Sequence, residues 1–202
     1  MYTPIVNDLM NEYMGQGVTK LLKSCGEGVK VYPMAKIVSP NCVKIGDNTR
    51  LCDFSFIHPE GGTIEIGRYC DFEPYSLIWG AGKMKIGDFV NFGPGMKIMG
   101  NLYDYKIGDI MVGTVEQTHA GIIAPELVIE DHVYFGADVT VLGSVHYIGE
   151  GALIGAQTLV NRDLEPWGVY VGSPAKKIGE RPRGALDKVT MYGLGNKDME
   201  TE

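Results

Sequence analysis

Large apolar residues recur at every sixth position in five segments of this chain. The segments are IGDNTRLCDFSFI (45–57), IGRYCDFEPYSLI (66–78), IGDFVNFGPGMKI (86–98), IEDHVYFGADVTV (129–141) and IGEGALIGAQTLV (148–160). Each has such a residue at its first, seventh and thirteenth positions, and four of the five begin Ile-Gly. A helix repeats about every 3.6 residues and a half-buried strand every 2, so neither sustains a period of six. A coil of short parallel strands does, if each unit of six is one strand plus one corner. The fifth position of each unit is small or medium-sized: Thr49 and Ser55, Cys70 and Ser76, Val90 and Met96, Val133 and Val139, Ala152 and Thr158. Three units close one triangular coil. Segment starts are 21, 20 and 19 residues apart, and the surplus over three units fits corner insertions such as HPEGG (58–62) and WGAGK (79–83). A sandwich of short strands would make five in-phase repeats a coincidence.

The rest of the chain frames this repeat. With 202 residues, 45% hydrophobic and 21% charged, the chain suits one packed domain, and its 28 glycines point to many regular turns. A formal charge of −7 argues against a general binder of nucleic acid or membrane surface. Cys25, Cys42, Cys52 and Cys70 form no CxxC pair, and reduced, buried thiols are expected. The N-terminus, MYTPIVNDLM, lacks the basic region of a signal peptide, and no apolar run approaches the ~20 residues of a membrane span. A cytoplasmic protein is therefore expected. Residues 1–24 read as an N-terminal helical segment, with Thr3-Pro4 as cap and first turn and Val6, Leu9, Met10 and Tyr13 on one side. Residues 25–183 read as the solenoid, with 99–125 thrown outward as a loop, and 184–202 as an aperiodic tail.

The stacked hexads resemble the hexapeptide-repeat acyltransferases, whose fold is a left-handed parallel β-helix. NRDLEPWGVYVGSPAKKIGER (161–181) is similar to the closing segment of bacterial sugar and polysaccharide O-acetyltransferases. The resemblance implies an all-β, left-handed solenoid, a homotrimer, acetyl-CoA as donor and sites between neighbouring subunits. A triangular prism also has flat faces that three copies could bury around an axis.

Acyl transfer from a thioester needs a base for the acceptor's proton and donors for the oxygen that becomes negative, with no covalent nucleophile required. Histidine is the natural base near neutral pH. Of the four histidines, His58 reads as a surface or corner residue and His146 as part of a bulge in LGSVHYIG. His119, in EQTHAG, is the loop histidine, and the resemblance places catalytic histidines on or beside that loop. His132, at the corner of IEDHVYFG, occupies a position where the polysaccharide group often carries histidine. Both stay open as the base. The resemblance assigns the thioester end of the donor to a backbone amide at Gly136 or Ala137, and the next coil's contribution to Gly155 or Ala156. Asn161 and Arg162 stand where relatives often have Thr-Lys, and Lys176, Lys177 and Arg181 extend a basic lip suited to a phosphate-bearing cofactor. No metal ligand set is expected.

These readings imply an acetyl-CoA-dependent O-acetyltransferase acting on a sugar of a surface polysaccharide or its precursor. The alternative is N-acetylation of an amino sugar nucleotide. A zinc carbonic-anhydrase-like enzyme would need closely spaced histidines, whereas His119, His132 and His146 are 13 and 14 residues apart. A non-catalytic binding solenoid would show flat outward ladders of Thr, and none is evident.

Overall fold

A computed structural model describes residues 13–80, 82–104, 106 and 122–194. The hexads wind into a triangular solenoid with three parallel sheets as faces. The first face stacks Val43–Ile45, Thr63–Ile66, Lys83–Ile86, Leu127–Ile129 and Tyr147–Ile148 above a two-residue strand, Ser24–Cys25. The second carries Arg50–Leu51, Asp71–Phe72, Asn91–Phe92, Tyr134–Phe135 and Leu153–Ile154, and the third Phe56–His58, Leu77–Trp79, Lys97–Met99, Thr140–Leu142 and Leu159–Val160. Register follows the repeat: Ile45, Ile66, Ile86, Ile129 and Ile148 align in one column, and Leu51, Phe72, Phe92, Phe135 and Ile154 in another.

Those columns fill the interior, and so do all ten small or medium fifth positions. Phe92 is central, stacked on Phe72 with ring centroids 4.1 Å apart and on Phe135 at 5.5 Å. Thr49 satisfies its buried hydroxyl by donating to the Gly67 carbonyl and accepting from Cys70 N–H. The hydroxyls of Ser76 and Thr158 are buried without a hydrogen-bond partner.

The Ile-Gly-Asp motif has a two-coil explanation. Asp131 Oδ1 accepts from Asp88 N–H at 2.7 Å, and Asp88 Oδ1 accepts from Arg68 N–H at 2.7 Å. A Cβ on Gly87 would lie 2.2 Å from the Asp131 carboxylate, and one on Gly67 2.4 Å from that of Asp88. Glycine in one coil therefore makes room for the aspartate of the next, whose carboxylate caps the coil beneath it.

The ends are closed by side chains. In the 3-10 helix Gln16–Leu21, Val18 is fully buried over the open end of the core. Gln16 Nε2 donates to the Val29 carbonyl while its Oε1 accepts from Val31 N–H, so one amide substitutes for a missing rung. At the other end Gly168–Val171 turns back on Lys176–Glu180 as an antiparallel pair. The N-terminal helix expected from Thr3 onward falls mostly on residues 1–12, outside those described. The segment expected to be an aperiodic tail instead contains an α-helix, Gly184–Met191, with no buried residue. Its side chains have no stripe to dock, which is why periodicity missed it.

The excursion loop leaves after Met99 and returns before Leu127. Leu102–Tyr103 pairs antiparallel with Ile122–Ile123 at its root, and the coil closes with Met84 in register with Leu127. All four cysteines are free, but only Cys70 is buried; Cys25 is exposed and Cys42 and Cys52 are half-buried. Cys25 lies on a terminal coil and Cys52 at a corner, where the solenoid covers less surface. Burial pushes the Cys70 thiol up to about 12. No helix among the described residues is long and apolar enough to cross a membrane.

Candidate functional site

Each coil turns three corners, and the candidate residues are distributed between them. At the first corner, between the first and second faces, the backbone enters the left-handed region at Asn48, Tyr69, Phe89, His132 and Trp167. The side chains there form a column. His132 stacks on Phe89 at 5.0 Å with planes 5° apart, and Phe89 on Tyr69 at 5.1 Å and 1°. Above His132 the column passes Gly151, where a Cβ would lie 2.5 Å from the Trp167 ring. Arg181 locks this end: Nη1 donates to the His132 carbonyl at 2.7 Å and to the Gly151 carbonyl at 3.1 Å, and its guanidinium lies over Trp167. Burial lowers the Arg181 pKa. The His132 ring nitrogens make no hydrogen bond among the described residues.

The second corner, between the second and third faces, holds Gly136, Ala137, Gly155 and Ala156. Here the two glycines and two alanines separate cleanly. Gly136 N–H donates to the Ile154 carbonyl and Gly155 N–H to that of Tyr170, both at 2.8 Å. A Cβ on Gly136 would lie 2.6 Å from Ala156 N, so coil contact explains this glycine. Ala137 and Ala156 share a rung with Pro33, Pro74 and Pro94, two residues beyond the aligned Val31, Phe72 and Phe92. Proline has no N–H, so the ladder does not use that donor. Among the described residues the Ala137 and Ala156 N–H groups likewise donate no backbone hydrogen bond, and two such donors on adjacent coils can hold a thioester or a pantetheine amide.

His132 and Ala137 lie at opposite edges of the second face, on the order of 15 Å apart for five extended residues. They do not meet over one reacting atom within a protomer. His119 lies outside the described residues. His146 is exposed, with its N–H donating to Asp163 Oδ1 at 2.7 Å.

The basic lip is partly consumed. Lys177 Nζ sits between Glu165 Oε2 at 2.8 Å and Glu180 Oε1 at 2.7 Å, and these hydrogen bonds raise its pKa. Arg162 Nη2 donates to the Ala175 carbonyl at 3.1 Å. Asn161 accepts from Ser144 Oγ through its carbonyl, leaving its exposed side chain outward, as is Lys176.

At the third corner the structure joins residues that sequence reasoning kept apart. Trp79 Nε1 donates to Glu60 Oε2 at 2.8 Å, Asn101 Nδ2 donates to the same oxygen, and His58 stands edge-on to Trp79 at 5.2 Å. His58 is half-buried, and burial lowers its pKa. The available signal was the matching phase of the insertions HPEGG and WGAGK, which puts them on one corner of adjacent coils.

A curated relative shares this frame along nearly its whole length. The chain is 34% identical over 171 residues to a dTDP-4-amino-4,6-dideoxy-D-glucose acyltransferase of Escherichia coli, covering 84% of this chain and 88% of that one. The chain belongs to the hexapeptide-repeat acyltransferases. The acyltransferase also superposes on AntD, an N-acyltransferase from Bacillus cereus, with TM-score 0.81 and 27% identity over 92% of this chain and 98% of that chain. AntD has been crystallised with dTDP and 3-hydroxybutyryl-CoA, and a variant of it with dTDP-4-amino-4,6-dideoxyglucose and coenzyme A. The bifunctional protein GlmU of Thermotoga petrophila is 27% identical across 77% of this acyltransferase, which spans 36% of its length. No protein-family model matches.

Proposed function

We propose that this acyltransferase moves an acyl group from a coenzyme A thioester to the amino group of a nucleoside-diphosphate-linked amino sugar. The near full-length similarity to an Escherichia coli enzyme named for such an acceptor carries the reading. The AntD complexes support it, since they combine a coenzyme A species with dTDP or its amino sugar. An amine acceptor therefore takes precedence over the polysaccharide hydroxyl expected from the closing segment.

The amine lone pair attacks the thioester carbonyl carbon, the C–N bond forms, and the C–S bond breaks. The nitrogen's surplus proton passes through a base to the departing thiolate, giving an amide and free coenzyme A. Ala137 and Ala156 N–H are proposed to hold the donor, with Asn161, Arg162 and Lys176 flanking its polar end and Gly136 and Gly155 allowing close approach. Lys177 contributes there only in exchange with its two carboxylates.

A homotrimer is proposed through the third face. Its outward residues include the apolar Phe56, Leu77, Leu142 and Leu159 beside Lys36, Lys97 and Thr140, with Trp79 and Met99 at the strand ends edging the third corner, whereas Lys44, Glu65, Lys83 and Lys85 charge the first face. Packing that face against copies would bring second and third corners of neighbours together and leave the first corner outermost. His119, on the loop rooted at the third corner, is accordingly proposed as the base, ahead of His132 in its stacked column.

Coenzyme A release decides the acceptor. Acetyl-CoA and 3-hydroxybutyryl-CoA are each tested with dTDP-4-amino-4,6-dideoxyglucose, with neutral sugar nucleotides and with oligosaccharides. Turnover with the amino sugar alone is expected; release with hydroxyl acceptors and none with the amine would overturn the proposal. His119→Ala is expected to cost ~10²–10⁴ in kcat with His132→Ala near the parent, and the reverse order would move the base to His132.

A further inference from the structure

Both corner insertions and the loop root converge at the third corner around a cavity of about 340 Å³ lined by Glu60, Trp79, Met99, Asn101 and Tyr103. Glu60 occupies the left-handed region at φ 45, a conformation that non-glycine residues adopt uncommonly. That conformation holds its carboxylate against Trp79 Nε1 and Asn101 Nδ2, both bound to Oε2. Oε1 accepts no hydrogen bond among the described residues. Trp79 is 39% exposed and Met99 37%, so apolar surface stays accessible beside a carboxylate whose geometry is fixed. Burial lowers the His58 pKa, against the opposing pull of the Glu60 carboxylate.

We propose that this cavity is the sugar subsite of the acceptor, taking a cationic aminohexose ring. The assignment rests on the N-acyltransfer reading above. A pyranose offers an apolar C–H face to an indole wall and hydroxyls to an amide and a phenol. Its ammonium is drawn both to Glu60 and to the indole π-face. A cavity of this size suits one small ligand, and a neutral nucleobase would have no use for the carboxylate. The residues come from three coils, so the solenoid itself sets their spacing.

The full-length protein tests this with Glu60→Gln, Trp79→Ala and Trp79→Phe. Glu60→Gln keeps an oxygen for Trp79 and Asn101 while removing the charge. KM and equilibrium Kd are measured for dTDP-4-amino-4,6-dideoxyglucose, with dTDP and coenzyme A as separate ligands. Glu60→Gln and Trp79→Ala are expected to raise KM and Kd for the amino sugar nucleotide on the order of tenfold, with dTDP and coenzyme A affinities unchanged. Trp79→Phe, which keeps an aromatic wall, should stay within about threefold of the parent. Unchanged KM and Kd in Glu60→Gln would overturn the assignment, and equal weakening of dTDP would give the cavity to the nucleotide instead. Failure of the N-acyl reading looks different, because the parent itself would then release no coenzyme A with this acceptor. In that event a Kd still sensitive to Glu60→Gln upholds the sugar subsite, and an insensitive one removes it.

Discussion

Replacing Ala137 by proline separates the solenoid from the site built on it. Pro33, Pro74 and Pro94 already occupy this rung in three other coils, so the backbone there has proline's φ and spends no N–H on the ladder. The substitution should therefore leave stability unchanged or raise it by about 0.4–1 kcal/mol through a stiffer unfolded chain. The same change deletes the amide hydrogen proposed to hold the donor and puts a ring methylene in its place. A lost neutral hydrogen bond is worth roughly 0.5–1.5 kcal/mol, or about two- to tenfold in KM for acyl-CoA. If that hydrogen faces the thioester oxygen as it becomes an oxyanion, the loss appears in kcat and reaches ~10²–10³. Thermal unfolding checks the first expectation, and steady-state kinetics with acyl-CoA varied checks the second. A folded Ala137→Pro protein with parental kcat/KM for acyl-CoA would refute the placement of the donor, and an unfolded one the reading of the rung.

Three further outcomes follow from the core and from one histidine. Phe92→Ala removes the middle ring of the Phe72–Phe92–Phe135 stack and should destabilise by about 3–5 kcal/mol, measured by denaturant unfolding. Thr158→Val replaces a buried hydroxyl without a partner by a methyl group of equal size; the unfolding midpoint should rise by the equivalent of about 1 kcal/mol at unchanged slope. His58 has a folded pKa below the ordinary imidazole value of 6.5 because it is partly buried, so between the two values the unfolded chain binds the extra proton. Its contribution to stability is complete above pH 6.5 and is lost as pH falls toward the folded pKa, and His58→Gln should flatten that limb of the stability–pH curve.

The division between what was legible and what was not follows the range of the interactions. A period of six, the Ile-Gly-Asp starts and the small fifth positions are local and repeated, and each coil obeys the same steric rule, so sequence alone determined the winding and the three inward columns. The same rule explains why glycine precedes aspartate, although the clash it avoids lies one coil away. Helix Gly184–Met191 escaped notice because it buries nothing and so carries no apolar stripe. Only the tertiary structure decided which amides remain unspent, since the fate of Gly136 N–H depends on Ile154 and the leftover donor of Ala137 on a rung shared with prolines. It also decided that His132 stands in an aromatic column away from those amides, and that Glu60, Trp79 and Asn101 share one hydrogen-bonded corner. Those facts concern pairs of side chains from different coils. Their distance is set by stacking and register, and no period along a single strand contains it.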